Sequence, residues 1–147
     1  MTYSISLDLM QPDYGFQASD AYGNVVRLDT SPDTGGQNYG ARPMQMLLMA
    51  MGGCSGIDVV SILKKQKQEI NGFRMSITAE REKDKEPAVW IQAHIVFHLN
   101  GKIEPEKANR AAALSIDKYC SVAETLRRAG CTITYETVVN DTPYNPA

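Results

Sequence analysis

The chain has 147 residues, 43% of them hydrophobic and 22% charged, with 15 basic side chains against 17 acidic ones for a net charge of −2. This length supports one domain spanning residues 1–147 whose core needs neither disulfides nor metal, and the charge balance offers no basic excess for a nucleic-acid partner. Three cysteines, Cys54, Cys120 and Cys131, are too few and too scattered for a secreted disulfide scaffold, so any part they play is through reactivity.

The first segment, MTYSISLDLM, has neither a basic n-region nor an apolar h-region, and a cytoplasmic location is the expectation. Residues 2–9 alternate strictly, with Tyr3, Ile5, Leu7 and Leu9 on one side, the pattern of a half-buried strand. Phe16 to Ala18 and Val25 to Asp29 are shorter strands, joined by a turn at Ala21-Tyr22-Gly23-Asn24, so the chain opens with a small meander. Residues 30–42, TSPDTGGQNYGAR, are a loop rich in turn formers, of a length that is often functional.

The longest helical pattern covers residues 43–70. Pro43 suits its first position, and Asn71-Gly72 supplies a left-handed stop. At 1.5 Å per residue it would span roughly 40 Å. From Met44 to Met51 apolar side chains occupy every angle, which predicts burial all round, and from Lys64 the pattern turns polar. Residues 43–63 are long enough to cross a bilayer, but Gln45, Asp58 and glycines including Gly52 and Gly53 argue against lipid.

Beyond the helix, residues 73–80 alternate, REKDKEP at 81–87 forms a charged turn, and residues 88–99 return as a strand, giving a long hairpin. One face of the return strand carries Val89, Ile91, Ala93, Ile95, Phe97 and Leu99; the other carries Trp90, Gln92, His94, Val96 and His98, which predicts partial cover. Pro105 opens a second helix running to about Lys118, followed by a break at Tyr119-Cys120. Ser121 and Glu124 have capping-box spacing for a short third helix ended by Gly130. Residues 131–139 form a last strand, and the tail TPYNPA reads as frayed. The fold class is therefore α+β.

Chemistry centres on two thiols. Cys54 lies among Gly52, Gly53, Ser55 and Gly56, and glycines inside a helix cost about 1 kcal/mol each relative to alanine. Either they uncrowd the sulfur, or break the helix so that new amides face it, or they serve close helix packing around a small buried hydrophobe. Cys120 precedes the third helix, where free N–H groups and the positive helix end stabilise a thiolate; the alternative is a buried residue in a helix break. Two thiols on separate helices suit a disulfide cycle better than zinc, which wants close pairs such as C-x-x-C. His94 and His98 lie about 13 Å apart along a strand and cannot share a metal ion. No metal site is expected, nor a nucleotide, NAD or Ser-hydrolase motif.

The stretches RPMQMLLMAMGGCSGIDVVSIL and DKYCSVAETLRRAGC resemble the OsmC and Ohr superfamily, whose best-known members are bacterial thiol-dependent peroxidases for organic hydroperoxides. The resemblance covers nearly the whole order of elements. It implies an OsmC-like α+β fold with N-terminal antiparallel strands, a long buried central helix, a β-hairpin, two further helices and a C-terminal strand. It also implies an intertwined homodimer with two active sites at the subunit interface. Cys54 would be the peroxidatic thiolate and Cys120 would resolve its sulfenic acid as a disulfide, with no cofactor and a lipoyl or thioredoxin-type dithiol as reductant. Met44, Met46, Met49 and Met51 would line an apolar pocket. The chain departs from the peroxidases in two respects. Their acidic residue just after the proline is matched by Met44, followed by Gln45, and residues 1–26 hold no arginine to pair with it, leaving Arg27 or Arg42 as substitutes. The alternative function is therefore an OsmC-like protein without peroxidase activity, which binds an apolar ligand or meets another electrophile through Cys54.

Overall fold

Alternating segments, turns and one long stretch of small and apolar residues give a three-stranded sheet, a four-stranded sheet and a long helix in the computed structural model, which describes residues 1–146. The chain forms two compact units, Met1–Met49 and Ala50–Ala147, with the boundary inside that helix.

The first unit holds a three-stranded meander of β1 (Ile5–Gln11), β2 (Gly15–Asp20) and β3 (Val25–Leu28). Asp20 makes the second turn: its carboxylate accepts the N–H groups of Tyr22 and Asn24, each at 2.9 Å, while Gly23 takes a φ of +85°. Leu7 pairs with Ala18, Leu9 with Phe16, and Phe16 and Ala18 with Leu28 and Val26, so these apolar residues share one face. The expected half-buried strand is corrected here, because β1 starts at Ile5 and Leu7 and Leu9 remain 49% and 57% exposed.

The loop after β3 is pinned by a residue the sequence did not single out. Asp29 is buried, and its carboxylate accepts the N–H groups of Thr30 (2.7 Å), Gln37 (2.9 Å) and Tyr39 (3.1 Å). The bonds from Gln37 and Tyr39, opposed by burial, hold its carboxyl below the usual range. Gly36 crosses so close to Thr30 that a Cβ would stand 2.1 Å from the Thr30 carbonyl oxygen, whereas a Cβ on Gly53 would meet nothing within 4 Å. Substitution by alanine is thus expected to have opposite signs at the two positions. Gly36→Ala loses about 1–3 kcal/mol through overpacking. Gly53→Ala gains up to about 1 kcal/mol of helix propensity. Urea unfolding of the two variants checks both.

Helix α1 runs from Pro43 to Lys65 without a break. The expected extension to residue 70 is wrong: Lys67 takes a φ of +58°, the Gln68 N–H returns to the Leu63 carbonyl, and β4 (Glu69–Arg81) begins. Asn71-Gly72 therefore lies within a strand, at a register shift against its neighbour, and pairing with β5 (Trp90–Lys102) outweighs the helix propensity of Gln66, Lys67 and Gln68. The expectation of burial all round also fails for the single chain, since Leu47 and Met49 are 42% and 57% exposed. By length and composition α1 is the one helix among the described residues that matches a membrane span.

In the second unit the long hairpin forms as expected, and β6 (Thr132–Val139) adds to β5 in parallel, bridged by the helices between them. Ala93, Ile95, Phe97 and Leu99 are buried on one face of β5. On the other, His94 Nδ1 lies 2.7 Å from the Thr134 hydroxyl. The tail is not wholly frayed: Asn140 and Asp141, at φ of +48° and +63°, make a tight turn into β7 (Thr142–Pro143). Helix α2 (Pro105–Leu114) passes directly into a wide π turn over Ser115–Tyr119, so the helical stretch reaches about the expected Lys118 and breaks at Cys120, and α3 covers Ser121–Arg128. The α+β class stands.

Candidate functional site

The site lies where α1 faces the junction of the π turn and α3. The sequence left three roles open for the glycines, and the geometry separates them. A Cβ on Gly52 would stand 3.0 Å from Ile77 Cδ1 and one on Gly56 2.7 Å from Met75 Cε, so these two let α1 lie directly on β4. Because α1 is continuous, no new helix terminus faces Cys54, and that route to a more acidic thiol is excluded. Gly53 is the open position beside it.

With Met51, Ser55 and Val59 committed to the core, Cys54 falls at the edge of the buried stripe, half-buried. Its partner across the gap is Cys120, whose thiol lies near enough to that of Cys54 to be raised by it. Cys120 is 3% exposed and caps α3: its sulfur accepts the Ala123 N–H at 3.4 Å, and its thiol lies 3.9 Å from the Met51 carbonyl. The predicted capping box is thereby displaced by one residue. Ser121 is the first helical residue, and Glu124 turns outward to Arg127 (2.6 Å) and Arg128 (2.8 Å).

Of the two readings the sequence left open for Cys120, the buried residue in a helix break holds, and proximity to a helix N-terminus does not make its thiol acidic. Burial pushes its thiol up to about 11, against the lowering effect of the Ala123 and Val122 N–H groups and with further raising by Cys54. Desolvation wins because the amides offset only part of the cost of a buried charge. Cys120 is thus protonated at neutral pH. Cys131 is buried apart, with its thiol also pushed up by desolvation.

The remaining predicted residues belong to the first unit. Arg27 lies on β3 with its guanidinium 5.2 Å from the centre of the Tyr39 ring. It and Arg42 flank the backbone bridge between Leu28 and Ala41, and the Arg42 carbonyl accepts the Met46 N–H at 3.1 Å. Met44 and Gln45 occupy the first turn of α1, and Met49 follows one turn on. Among the described residues no cluster of His, Cys, Asp and Glu is arranged to hold a metal.

Two residues near the thiols escaped the sequence reading. Asp58, one turn after Cys54, accepts the Ser115 hydroxyl at 2.8 Å. Their signals were faint: an acid four residues from the cysteine, and a serine within an alanine-rich helix. Beside them runs a groove of about 640 Å³ lined by Asp58, Ser61, Ile62, Lys65, Leu114 and Tyr119 among others.

A family model described as OsmC-like protein matches residues 35–136, which include both thiols of the pair. The chain belongs to the OsmC-like family. It is 42% identical over 125 residues to the protein YhfA of Escherichia coli K12, covering 84% of this chain and 90% of that one. A solved structure of a hypothetical protein from Aquifex aeolicus superposes with a TM-score of 0.78 at 28% identity, covering 95% of this chain and 98% of that one. The organic hydroperoxide resistance protein OhrB of Bacillus subtilis shares the fold, with a TM-score of 0.60 at 16% identity and coverage of 93% and 98%. The OsmC-like assignment fits the order of elements, with the meander ahead of the long helix and the second cysteine at the start of α3.

Proposed function

We propose that this OsmC-like protein reduces organic hydroperoxides by a two-thiol cycle. The observation that carries the reading is the placement of Cys120 against α1 beside Cys54, its thiol 3.9 Å from the Met51 carbonyl and raised by the neighbouring Cys54 thiol. Family membership and the shared fold with a hydroperoxide resistance protein support it. Cys54, as thiolate, attacks the peroxide: an S–O bond forms, the O–O bond breaks, and the departing alkoxide takes a proton to leave as alcohol. Cys54 is then a sulfenic acid. The Cys120 sulfur attacks the Cys54 sulfur, the S–O bond breaks, and the leaving hydroxide departs as water with the Cys120 proton. A dithiol of lipoyl or thioredoxin type returns both thiols by exchange and is itself oxidised to a disulfide. The cytoplasm keeps such dithiols reduced and is the compartment proposed. Intact mass before and after one equivalent of cumene hydroperoxide tests the cycle: loss of two hydrogens supports it, and an unchanged mass in folded protein with free thiols overturns it.

A second reading has its own observation. The first turn of α1 carries no acidic residue, and the Arg27 guanidinium lies over Tyr39. An OsmC-like protein that binds an apolar ligand, or whose Cys54 meets a different electrophile, follows if Cys54 is labelled by disulfide probes while hydroperoxide is not consumed.

A homodimer belongs to the proposal. Leu7, Leu9 and Phe16 are exposed on one sheet face, and Leu47 and Met49 of α1 are exposed as well, a grouping of bare apolar side chains of the kind that marks an interaction surface. Sedimentation is expected to give twice the chain mass, and the double substitution Leu7→Glu with Leu9→Glu to release monomer. A wild-type protein that sediments as a monomer at micromolar concentration rejects the dimer.

A further inference from the structure

We propose that Asp58 and Ser115 are positioning residues that latch the second thiol within bonding reach of the first. The proposal builds on the two-thiol reading, yet its geometry concerns disulfide closure, whatever the oxidant.

Ser115 is fully buried and is engaged at both ends. Its hydroxyl donates to Asp58 at 2.8 Å, with the Ser55 carbonyl at 3.4 Å as a second acceptor. Its carbonyl accepts the Cys120 N–H at 2.7 Å, closing the π turn. Asp58 stands four residues after Cys54 on the same helix, and positions four apart lie one above the other on a helix face. A closed circuit results, running from Cys54 along one turn of α1 to Asp58, across to Ser115, and through the π turn to Cys120.

The arrangement uses features that packing alone does not call for. A five-residue π turn interrupts the helix ladder of α2 and brings Cys120 to the start of α3, and such turns recur at functional sites. A carboxylate engaged to a buried hydroxyl fixes direction as well as distance, which an apolar contact does not. Disulfide bonds demand narrow Cα separation and dihedral ranges, so a small drift of the π turn against α1 would leave Cys120 intact but out of line.

Closure is tested with diamide, which needs no peroxide. Each thiol gives up one hydrogen, the S–S bond forms, and the N=N bond of diamide is reduced to the hydrazine. Timed samples are quenched with acid, alkylated and weighed. In Asp58→Ala, closure is expected to slow at least about tenfold, in line with the sensitivity of oriented reactions to small misplacement. Iodoacetamide should meanwhile label Cys54 at the wild-type rate, which a general loss of structure would not preserve. Asp58→Asn keeps an acceptor for the Ser115 hydroxyl and should close within about twofold of wild type. Ser115→Ala should match Asp58→Ala, and the double variant should be no slower than either, because both remove one contact. Wild-type closure in folded Asp58→Ala overturns the latch. Should that variant fail to fold, wild-type closure in Ser115→Ala overturns it equally. Wild-type protein that forms no Cys54–Cys120 bond with diamide also rejects it, whereas closure with diamide and inertness to hydroperoxide leaves the latch standing and removes the peroxidase.

Discussion

Replacing Cys54 by serine is expected to lower hydroperoxide turnover by on the order of 10³-fold or more, the scale seen when a nucleophile is removed. Serine keeps the size and hydrogen-bonding capacity of the side chain, so α1 should stay helical and the thermal midpoint should change little. Its hydroxyl has no accessible anion at neutral pH and cannot take oxygen from a peroxide. Cys120→Ser should behave differently. Cys54 still reacts once, and with no second thiol in contact its sulfenic acid persists, seen as a gain of one oxygen in the intact mass and captured by dimedone. Turnover then depends on external thiols attacking a half-buried sulfur. Cys131→Ser should leave turnover near wild type, since that thiol lies apart from the pair. If Cys54→Ser retains turnover, the roles assigned to both thiols fail together.

Much of this architecture was legible because local chemistry and tertiary structure agree. Pro43 opens α1, Asp20 and Gly23 make the turn between β2 and β3, and the alternation from Ala93 to Leu99 marks the buried face of β5. Legibility failed where long-range pairing overrode local preference. Gln66, Lys67 and Gln68 are good helix formers, yet Glu69 and Ile70 pair with Lys102 and Gly101, residues more than thirty positions away, and α1 stops short. The short tail strand escaped notice for a similar reason: Asn140 and Asp141 tolerate the left-handed region and turn a segment of prolines back onto β6.

The two thiols themselves were legible through the motifs around them, but not the balance of forces on either. A cysteine at a helix cap promises an acidic thiol only if solvent still reaches it. At Cys120 burial under α1 dominates, and that depends on α1 and α3 meeting across more than sixty residues of chain. Asp58 and Ser115 were hidden in the same way, since neither has meaning until 57 residues of separation are closed. Periodicity reports which residues face inward; it does not report which of them meet.

Native alkylation should display that balance directly. With its thiol pushed up to about 11, Cys120 remains protonated at pH 8 while Cys54 supplies the reactive sulfur. A thiol of that acidity is anionic in about one molecule per thousand at pH 8, roughly 200-fold less than a free cysteine of pKa ~8.5. Iodoacetamide on folded protein should therefore modify Cys54 first, with Cys120 and Cys131 labelled only after unfolding. The same shift sets a direction for stability. The folded state holds the Cys120 proton more tightly than the unfolded chain does, so the contribution is present in full below about pH 9 and is lost as pH rises toward about 11. The thermal midpoint should fall across that window. Cys120→Ser cannot titrate there and should flatten the fall. It should not abolish it, because burial also raises Cys131, and burial with Asp117 raises Tyr135. A variant whose alkaline slope matches wild type would mean that Cys120 is solvated, and Cys120 would then compete with Cys54 for the alkylating reagent.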